Sequence, residues 1–490
     1  MNIENLNDNE RNKSTGEMNN IYFIGIGGIG MSALARYYHY KGASVSGYDK
    51  SQSSLTTELE KTGIAIHYEE NIGLIPKDVD WVVYTPAIPK DHKELVYYRQ
   101  NGYKVIKRSD ALQRITESSY NICIAGTHGK TTISTMIAHL LRHSGYGCNA
   151  FLGGISVNYG TNFWPSERNV CVVEADEYDR SFLKLFPDVA VITAMDADHL
   201  DIYGTAVEME NAFIDFSNQL KEGGMLFSRF GLKRAKELIK GKHPGDSRKH
   251  FTYSLQNETA DVYAENIRMK NGSYEFDVVK EIKMENVMLH MGGMHNVENA
   301  VAAIAVASSL GIENEKIKAA VEDFKGVKRR FEYVISPRGA NSPQSGQRGG
   351  EVVFIDDYAH HPEELKALIK GAKSLFSDRK STVIFQPHLY SRTRDLAHGF
   401  AEVLDLADEV ILLPVYPARE LPIEGVSSEM ILNKMKNEHK RVLTKEQLMK
   451  WIKNDFSKTA NKDFGEVLIT AGAGDIDTLI EPIKKELIER

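Results

Sequence analysis

Short apolar runs rich in β-branched residues alternate with amphipathic stretches of helical length along almost all of the 490 residues. Ten runs have the length and composition of strands: "IYFIGI", "ASVSGYD", "DWVVYTPA", "NICIAG", "VCVVEAD", "VAVITAM", "EVVFIDD", "STVIFQP", "EVILLPV" and "EVLITAG". This alternation predicts an α/β fold with mostly parallel sheets. Such sheets bind ligands at the carboxyl ends of their strands, and most of the motifs below follow a strand.

A chain of this length is expected to form about three domains. One boundary is predicted near residue 115, where "YNICIAG" restarts the strand–loop–helix pattern, and another near 327, at "FKGVKRRFEYV". We therefore divide the chain into domains of residues 20–114, 115–327 and 328–490. Residues 1–19 are polar and Asn-rich, which predicts a disordered tail, and the Ser-, Gly- and Pro-rich segment 336–350 predicts a flexible loop between two strands.

The composition is that of an ordinary globular protein, with 42% hydrophobic residues, 26% charged residues and a net charge of −7. It has no basic excess for nucleic acid, no apolar run of the roughly 20 residues that a membrane span needs, and no signal-peptide core near its start. The three cysteines lack metal-ligand spacing, and Cys123 and Cys171 lie in strand-like runs where burial is expected. We expect a cytoplasmic monomer or homodimer that neither binds nucleic acid nor spans a membrane.

The first strand runs into the glycine-rich turn Gly25-x-Gly27-x-x-Gly30. Its glycines allow a tight turn and a close approach of the backbone to a phosphate at a helix N-terminus. Asp49 follows the second strand, at the position of the acid that binds ribose in NAD domains. The pattern predicts a phosphate-binding turn, although a tight strand–helix turn without a ligand has the same signature.

A second phosphate loop, "GTHGKTT" at residues 126–132, directly follows the strand "NICIA". Its backbone N–H groups are expected to cradle phosphates, with Lys130 on the β/γ oxygens and the Thr131 hydroxyl on Mg²⁺. The loop is shorter than usual, because the usual first glycine is Ile124 and Gly126 lies closer in. A chain with ATP in its middle domain and a second phosphate site before it points to a substrate that itself carries a nucleotide or a diphosphate.

Further polar residues follow the later strands of the middle domain. "EADEYD" contains four acids, of which we select Glu174 as a Mg²⁺ ligand beside Thr131; a solvated loop is the alternative. In "DADHLD", His199 is a candidate for metal or phosphate contact, or is structural. Asn296 opens a helix, where it can cap the helix or bind a base edge, and Arg330 in "KRRFE" can reach a phosphoryl group from the domain boundary.

In the third domain, "FIDDYAHHPEE" and "IFQPHLYSRTRD" each follow a strand. Together they bring acids, histidines and arginines to one sheet edge, where arginine suits the carboxylate of a small zwitterion and polar groups suit its amine. These residues are Asp356, Asp357, Tyr358, His360, His361, His388, Arg392 and Arg394.

Ten motifs occur in the order found in one known family: "GIGGIGMSALA", "TPAIP", "GTHGKTT", "EADEYDRSF", "DADHLDIY", "MHNVENA", "RRFE", "IDDYAHHPEE", "QPHLYSRT" and "YPARELPIEGVSSE". Over about residues 20–480 the chain resembles the amide ligases that build the peptidoglycan precursor, and most of all the branch that adds L-alanine to UDP-N-acetylmuramate. The resemblance implies three domains that bind UDP-N-acetylmuramate, ATP and L-alanine in turn, the first and last Rossmann-like. It also implies ADP-forming ligation through an acyl phosphate, with Mg²⁺.

The family's pattern assigns sets of residues in this sequence. The UDP-sugar pocket would be lined by Gly27, Gly28, Ile29, Gly30, Ser32, Asp49, His67, Thr85 and Arg108. ATP would be bound by Gly126, Thr127, His128, Gly129, Lys130, Thr131, Thr132, Asn296 and Arg330, and Mg²⁺ by Thr131, Glu174 and His199. L-Alanine would be surrounded by Tyr358, His360, His388 and Arg392. Catalysis would depend on Lys130, Glu174, His199, Arg330, His360 and His388.

Two positions depart from other members of this family. Phe213 stands where later enzymes of the pathway carry a modified lysine between two metals, which fits the alanine-adding branch. Leu389 stands where some members have an arginine, so alanine binding would rely more on Arg392. Three other functions stay open from the sequence: a recycling ligase that attaches a murein tripeptide, an NAD-dependent oxidoreductase, and a protein that binds ATP without turning it over.

Overall fold

The computed structural model describes residues 20–196, 200–238, 246–270, 272–337, 352–418, 420–456 and 465–488. These residues form three α/β domains, each built around its own sheet. The predicted tail at residues 1–19 and most of the predicted loop at 336–350 lie outside them. No helix within these ranges combines the length and the hydropathy that a bilayer span requires.

The first domain consists of β1 (Asn20–Ile24), α1 (Ile29–Tyr40), β2 (Ser44–Tyr48), α2 (Ser54–Lys61), β3 (Ala65–His67), β4 (Trp81–Tyr84), α3 (Lys93–Gln100), β5 (Val105–Lys107) and α4 (Arg108–Glu117). Its strands form a parallel sheet in the order β3-β2-β1-β4-β5. The central strand is buried on both faces, because Ile21 and Phe23 pack into one core while Tyr22 and Ile24 pack into another. This is the two-residue period of a strand covered by helices on both sides.

The middle domain consists of β6 (Tyr120–Ala125), α5 (Lys130–His143), β7 (Asn149–Ser156), β8 (Thr161–Trp164), β9 (Val170–Glu174), β10 (Val189–Ile192), α6 (Leu200–Tyr203), α7 (Ala206–Asn218), β11 (Met225–Arg229), β12 (Lys249–Ser254), β13 (Val262–Lys270), β14 (Ser273–Lys280), β15 (Met284–Leu289), α8 (Met294–Ser309) and α9 (Asn314–Asp323), with short 3₁₀ segments at Tyr178–Lys184 and Ala235–Glu237. The sheet order is β15-β14-β13-β12-β11-β10-β6-β9-β7-β8. Every neighbouring pair between β13 and β7 in this order is parallel. The pairs β13–β14, β14–β15 and β7–β8 are antiparallel. Helices α5 and α8 pack side by side over the core of this sheet.

The third domain consists of β16 (Glu332–Ile335), β17 (Val352–Asp357), α10 (Pro362–Leu375), β18 (Lys380–Phe385), α11 (Tyr390–Leu404), β19 (Glu409–Leu412), α12 (Ser428–Leu432), β20 (Lys440–Val442), α13 (Lys445–Asn454), β21 (Glu466–Ala471), a 3₁₀ segment at Asp475–Leu479 and α14 (Ile480–Ile488). Its sheet has the order β16-β17-β21-β18-β19-β20. All pairs are parallel except β16–β17 at one edge.

The predicted three-domain α/β fold with Rossmann-like outer domains is confirmed, and all ten predicted strands are present. The sequence pattern did not reveal the antiparallel extension β13–β15, because exposed or partly exposed positions interrupt its apolar runs.

The domain boundaries stay predictions. Helix α4 continues to Glu117, across the boundary expected near residue 115, and β16 begins at Glu332, just after the boundary expected near 327.

Candidate active site

One cleft of about 760 Å³ is lined by residues of all three domains. It lies where the phosphate loop after β6, the acids after β9 and the loop after β17 come together. Loops at the carboxyl ends of strands can reach a common space although they are far apart in the sequence. The predicted site residues that line the cleft are Ile29, Gly30, Arg108, Thr127, His128, Gly129, Lys130, Thr131, Thr132, Glu174, Asn296, Arg330, Tyr358 and His360.

The phosphate loop leads directly into α5, and its backbone requires glycine at two positions. Gly126 has φ +133° and Gly129 has φ +79°, a region that residues with a Cβ rarely adopt. A Cβ on Gly126 would also collide with the Thr193 hydroxyl. Because α5 begins at Lys130 and its first turn borders the cleft, the positive end of the helix dipole faces the space where phosphate is expected.

Lys130 has a carboxylate partner inside the cleft. Its Nζ donates to the Gly126 carbonyl oxygen at 2.7 Å and to Glu177 Oε1 at 2.8 Å. Glu177 is almost fully buried, so the ion pair is largely shielded from water. No sequence pattern distinguishes Glu177 from the other three acids of "EADEYD", since only the folded chain brings it to the lysine.

Thr131 and Glu174 lie side by side at the start of α5 and the end of β9. The Thr131 hydroxyl donates to Glu174 Oε1 at 2.9 Å, and Gly153 N donates to Oε2 at 3.0 Å. Burial raises the pKa of Glu174, while Lys130 and Arg330 act in the opposite direction. Glu174 is therefore a partly buried carboxyl group held by hydrogen bonds from Thr131 and Gly153 and flanked by two cations.

The hydroxyl of Thr131 and the carboxylate of Glu174 are the oxygen donors that Mg²⁺ takes beside bound phosphates. Within the described ranges, no cluster of three or more His, Cys, Asp or Glu side chains is arranged to hold a metal ion. His199, the third predicted ligand, lies outside the described residues.

Asn296 is buried near the start of α8 and also borders the cleft. Its Nδ2 donates to the Gly292 carbonyl oxygen at 2.7 Å, and its Oδ1 accepts from Asn299 Nδ2 at 3.1 Å. The cap position of α8 is Gly293, so Asn296 does not cap the helix. Asn299, one turn further on, lines the same cleft and was not selected from the sequence.

The basic residues at the second boundary have different surroundings. Arg329 has φ +61°, donates through Nε to Asp356 at 3.3 Å and also bonds the Gly472 carbonyl, which ties the boundary to the third sheet. Both arginines line the cleft, and Arg330 acts electrostatically on Glu174 and Asp357. Arg330 is therefore the arginine whose charge acts on the carboxylate beside the phosphate loop.

Arg108 is the first domain's charged residue at the cleft. Its Nη2 lies 3.4 Å from Asp176 Oδ2 of the middle domain, and a Cβ on Gly30 would collide with its guanidinium. A larger residue at position 30 would therefore displace the Arg108 side chain from its present position. Six further residues predicted for the UDP-sugar pocket are not among those lining the cleft: Gly27, Gly28, Ser32, Asp49, His67 and Thr85.

Asp49 and His67 hydrogen-bond within the first domain. Asp49 Oδ2 accepts from Gly27 N at 2.8 Å, so the acid supports the glycine turn. His67 Nε2 lies 2.7 Å from the Tyr22 hydroxyl, which also donates to buried Glu94 at 2.7 Å. Contacts of Asp49 and His67 with a UDP-sugar remain predictions from the family's pattern.

The start of α1 is held by the middle domain through Asn162 of β8. Asn162 Nδ2 donates to the Ile29 carbonyl oxygen at 2.6 Å and to Ser32 Oγ at 3.0 Å. Both Asn162 and Ser32 are fully buried. Ser32 therefore belongs to the contact between two domains, which no local sequence pattern indicated.

The residues predicted to surround the amino acid lie close together at the edge of the third sheet. The rings of His360 and His388 are 6.3 Å apart between centroids, and Arg392 Nη1 lies 3.3 Å from His388 Nδ1. Tyr358 and His360 line the cleft. Burial lowers the pKa values of both His360 and Arg392.

Two residues near this group were not selected from the sequence. Glu364 at the start of α10 contacts His360, and Tyr416 stacks on His388 with 5.8 Å between ring centroids. Leu389, which stands where some family members have an arginine, has φ +69° and is the N-cap residue of α11. Both lie within motifs quoted above, "IDDYAHHPEE" and "YPARELPIEGVSSE", but only the tertiary contacts show which histidine each one meets.

A phosphate loop domain between two Rossmann-like domains, with one cleft lined by all three, defines a multidomain nucleotide-binding enzyme. Three family models match the chain: the Mur ligase family catalytic domain over residues 20–120, the Mur ligase middle domain over 124–307, and the Mur ligase glutamate ligase domain over 344–474.

Individual relatives match over almost the whole chain. The UDP-N-acetylmuramate–L-alanine ligase of Parabacteroides distasonis is 47% identical over 477 residues, which cover 96% of this chain and 97% of that protein. The protein of the same name from Flavobacterium psychrophilum is 44% identical over 479 residues, which cover 97% and 99%. The chain therefore belongs to the Mur ligase family, as the motifs indicated.

Solved structures agree with this assignment. The crystal structure of the UDP-N-acetylmuramate–alanine ligase of Thermotoga maritima has a TM-score of 0.75 and 30% identity, covering 96% of this chain and 98% of that one. A murein peptide ligase from Psychrobacter arcticus has a TM-score of 0.62 at 22% identity over similar shares, which is a likeness of fold alone.

Proposed function

We propose that this protein joins L-alanine to the lactyl carboxylate of UDP-N-acetylmuramate, converting ATP to ADP and phosphate, as an early cytoplasmic step of peptidoglycan synthesis. The observation that carries the proposal is the single cleft in which Arg108 of the first domain, Lys130 of the middle domain and His360 of the third meet. The curated relatives with 44–47% identity over nearly the whole chain carry the name of this activity.

The chemistry explains why these residue types are needed. A carboxylate does not accept an amine directly, because its leaving group would be oxide. Transfer of the γ-phosphoryl group of ATP to the lactyl carboxylate gives an acyl phosphate and ADP, and attack by the amine of alanine then expels phosphate. Both steps collect negative charge between two anions, and Lys130 and Arg330 are two cations of the cleft that would offset it.

Each substrate has a proposed set of contacts. The backbone of residues 126–132 would cradle the phosphates of ATP, with Asn296 near the adenine. Thr131 and Glu174 would hold Mg²⁺, which supplies charge neutralisation at the phosphates when bound. The glycine turn before α1 and Arg108 would bind the diphosphate of UDP-N-acetylmuramate, and Arg392 the carboxylate of alanine.

Three alternative functions differ from this proposal: one uses another amine as substrate, and the other two are not ligases. A tripeptide-recycling ligase would share the first two domains, and the 22% identical murein peptide ligase has this fold. An NAD-dependent oxidoreductase would leave the phosphate loop unused, and a protein that only binds ATP would have no need of the histidines and arginines after β17 and β18.

The deciding experiment is phosphate release from ATP and UDP-N-acetylmuramate with L-alanine, glycine, L-serine, D-glutamate or a muropeptide-type tripeptide, together with the product mass. We expect release that depends on L-alanine and a product heavier than UDP-N-acetylmuramate by one alanyl residue. Release driven only by the tripeptide would move the protein to the recycling class. Absence of release with every amine would contradict ligase activity.

A further inference from the structure

His360 has a hydrogen-bond environment that fixes its tautomer. Its Nδ1 lies 3.0 Å from the Tyr358 carbonyl oxygen and 3.2 Å from Glu364 Oε2. A carbonyl oxygen and an ionised carboxylate can only accept, so Nδ1 carries the ring proton and Nε2 keeps its lone pair. The ring borders the same cleft as Lys130.

Glu364 is itself held in place by the backbone. Its Oε2 accepts from the N–H groups of His360 and His361 at 2.8 and 3.1 Å, at the start of α10. The carboxylate is thus fixed relative to the ring that it contacts. The Nδ1 hydrogen bond goes to the Tyr358 carbonyl oxygen, and the Glu364 carboxylate lies 3.2 Å from the same nitrogen, which leaves Nε2 as the nitrogen that can act as a base.

The contacts of His388 place its ring proton on the other nitrogen, Nε2. Arg392 Nη1 lies 3.3 Å from its Nδ1, and because a guanidinium can only donate, this nitrogen accepts and Nε2 carries the proton. The ring is stacked on Tyr416 with an angle of 16° between the planes. A proton added at Nδ1 would place two positive charges in contact; Glu420 faces both groups and offsets part of this repulsion, but the nitrogen that would take the proton already accepts from Arg392.

From these opposite arrangements we infer that His360 Nε2 is the base that takes a proton from the amino group of L-alanine, that Glu364 is its positioning residue, and that His388 orients Arg392. The inference rests on the proposed function. An α-amino acid carries its carboxylate and amino group on one carbon, so a carboxylate at Arg392 keeps the amino group close to the two rings. Of these rings, His360 is the one that borders the cleft where the acyl phosphate would form.

The charges around His360 keep its ring neutral and ready to accept a proton. Burial lowers the pKa of His360, and Arg392 and His361 act in the same direction. Glu364 and the Tyr358 carbonyl act in the opposite direction and limit the loss of basicity. The imidazole is therefore in its basic form at neutral pH, as a general base must be.

The proton balance of the step is complete. The alanine ammonium gives one proton to His360 Nε2, and the resulting amine attacks the carbonyl carbon of the acyl phosphate, so that a C–N bond forms and the C=O electron pair moves to oxygen. The C–O bond to phosphate then breaks as the carbonyl reforms. The second proton of the attacking nitrogen leaves with the phosphate, and His360 returns its proton to solvent.

The first test separates amine attack from acyl phosphate formation. Hydroxylamine is neutral near pH 7 and traps an acyl phosphate as a hydroxamate without needing a base. For His360→Gln we expect alanine-dependent phosphate release to fall by about 10²–10⁴-fold, with hydroxamate formation in hydroxylamine within about twofold of the unaltered protein. Retained hydroxamate formation also shows that the variant is folded and binds both nucleotides.

The chain offers a matched control for this pair. His398 and Glu402 are also a histidine and a glutamate four residues apart, 3.4 Å between Nε2 and Oε1, and both are well exposed on α11. His398→Gln and Glu402→Gln should leave both rates unchanged, since neither side chain borders the cleft.

The second test is the pH profile of kcat/KM for L-alanine. Glu364→Gln removes a charge that raises the pKa of His360, so the acid limb of the profile should move to lower pH. A role of Glu364 in helix α10 alone would lower stability without moving this limb. His388→Gln should raise the KM for alanine and leave the limb in place.

Several results would overturn the inference. These are full alanine-dependent activity in His360→Gln, loss of hydroxamate formation in that variant, or an acid limb that moves in His388→Gln but not in Glu364→Gln. If the unaltered protein gives hydroxamate but no alanine-dependent release, the amine assignment is wrong and the inference falls with it. If it gives neither, the ligase proposal itself fails.

Discussion

The Lys130–Glu177 pair shows how one residue of the cleft constrains another. Glu177 is buried, and Lys130 is the cation that its carboxylate meets at 2.7–2.8 Å. Removing one partner of such a pair leaves an uncompensated buried charge, which costs more than the pair contributes. Bound phosphates would have to share or replace this contact.

Lys130→Met should therefore lose both activity and stability. We expect ATP turnover to fall by at least about 10²–10³-fold and the free energy of unfolding to fall by about 3 kcal/mol. Adding Glu177→Gln should recover most of the stability but none of the turnover. Phosphate release and thermal unfolding measure the two effects, with exposed Lys316→Met as the control. A single variant as stable as the unaltered protein would refute the buried-charge explanation.

Arg392 and Arg394 on α11 provide a matched comparison for amino-acid binding. Arg392 is partly buried beside His388, whereas Arg394 is half exposed and paired with Asp395. Arg392→Lys should raise the KM for L-alanine by about 10–100-fold, because an ammonium cannot reproduce the planar fork that binds a carboxylate. The KM for ATP should not change, and Arg394→Lys should change neither constant. Steady-state kinetics with each substrate varied in turn would show this, and equal effects of the two variants would contradict it.

At the scale of elements, His139 connects α5 to the end of α9 and to the β7–β8 hairpin. Its Nε2 lies 2.8 Å from the Ala320 carbonyl oxygen and its Nδ1 lies 2.9 Å from the Tyr159 hydroxyl. Burial lowers the pKa of His139 to about 4. The folded protein thus holds this ring neutral at pH values where the unfolded chain protonates it.

The stability of the protein should therefore fall as the pH drops from about 6.5 towards 4. Above 6.5 the ring is neutral in both states and contributes no pH dependence; below it, only the unfolded state gains the proton. The loss should be on the order of 2 kcal/mol at pH 5. His139→Gln, which keeps hydrogen-bonding groups but does not titrate, should lose less stability between pH 7.5 and pH 5 in calorimetry. An identical pH dependence of both proteins would rule out this origin.

The three cysteines lie in or directly before strands of the middle domain. Cys123 lies in β6, Cys171 in β9 and Cys148 just before β7, and all are buried. Burial raises the pKa of all three thiols, that of Cys171 to about 11. Burial of Cys123 and Cys171 was expected from their apolar runs and is confirmed.

Thiol reagents should therefore react slowly with the native protein, because both access and thiolate formation are suppressed. We expect the native thiols to react at least about 10³-fold more slowly with a chromogenic aromatic disulfide than the same thiols in denaturant. All three should titrate after unfolding. A thiol that reacts rapidly in the native protein would show that its strand or loop opens readily.

At the scale of the whole molecule, function depends on how the domains are held together. Asn162 of the middle domain binds the first turn of α1, whose N-terminus follows the glycine turn. Tyr40 at the end of α1 donates to Glu167 at 2.5 Å, so both ends of this helix contact the middle domain. The helix expected to bind the diphosphate is thus oriented by residues of a different domain.

Asn162→Ala should weaken binding of UDP-N-acetylmuramate without altering ATP binding. Loss of these buried hydrogen bonds is expected to raise the KM for UDP-N-acetylmuramate by about tenfold, whereas the KM for ATP should stay within about twofold. Asn158→Ala is the control, because Asn158 precedes β8 on the same hairpin but bonds to Asp323 within the middle domain. A similar rise for both nucleotides would indicate general loss of structure instead.

Much of this protein can be predicted from local sequence. The strands, the two glycine loops and the cleft position of Lys130, Thr131, Glu174 and Arg330 follow from periodicity, from glycine at positive φ and from polar residues at strand ends. These features depend on neighbours within a few residues, whose preferences act over short distances. The order of ten motifs extended the prediction to the Mur ligase family.

Only the tertiary structure decided which residues meet across long separations in sequence. It paired Lys130 with Glu177, held α1 through Asn162, and placed the Tyr358 carbonyl at His360 Nδ1 but the Arg392 guanidinium at His388 Nδ1. The sequence names all these side chains but does not specify their partners, because a hydrogen bond or ion pair depends on positions fixed to a few tenths of an ångström by the packing of whole domains.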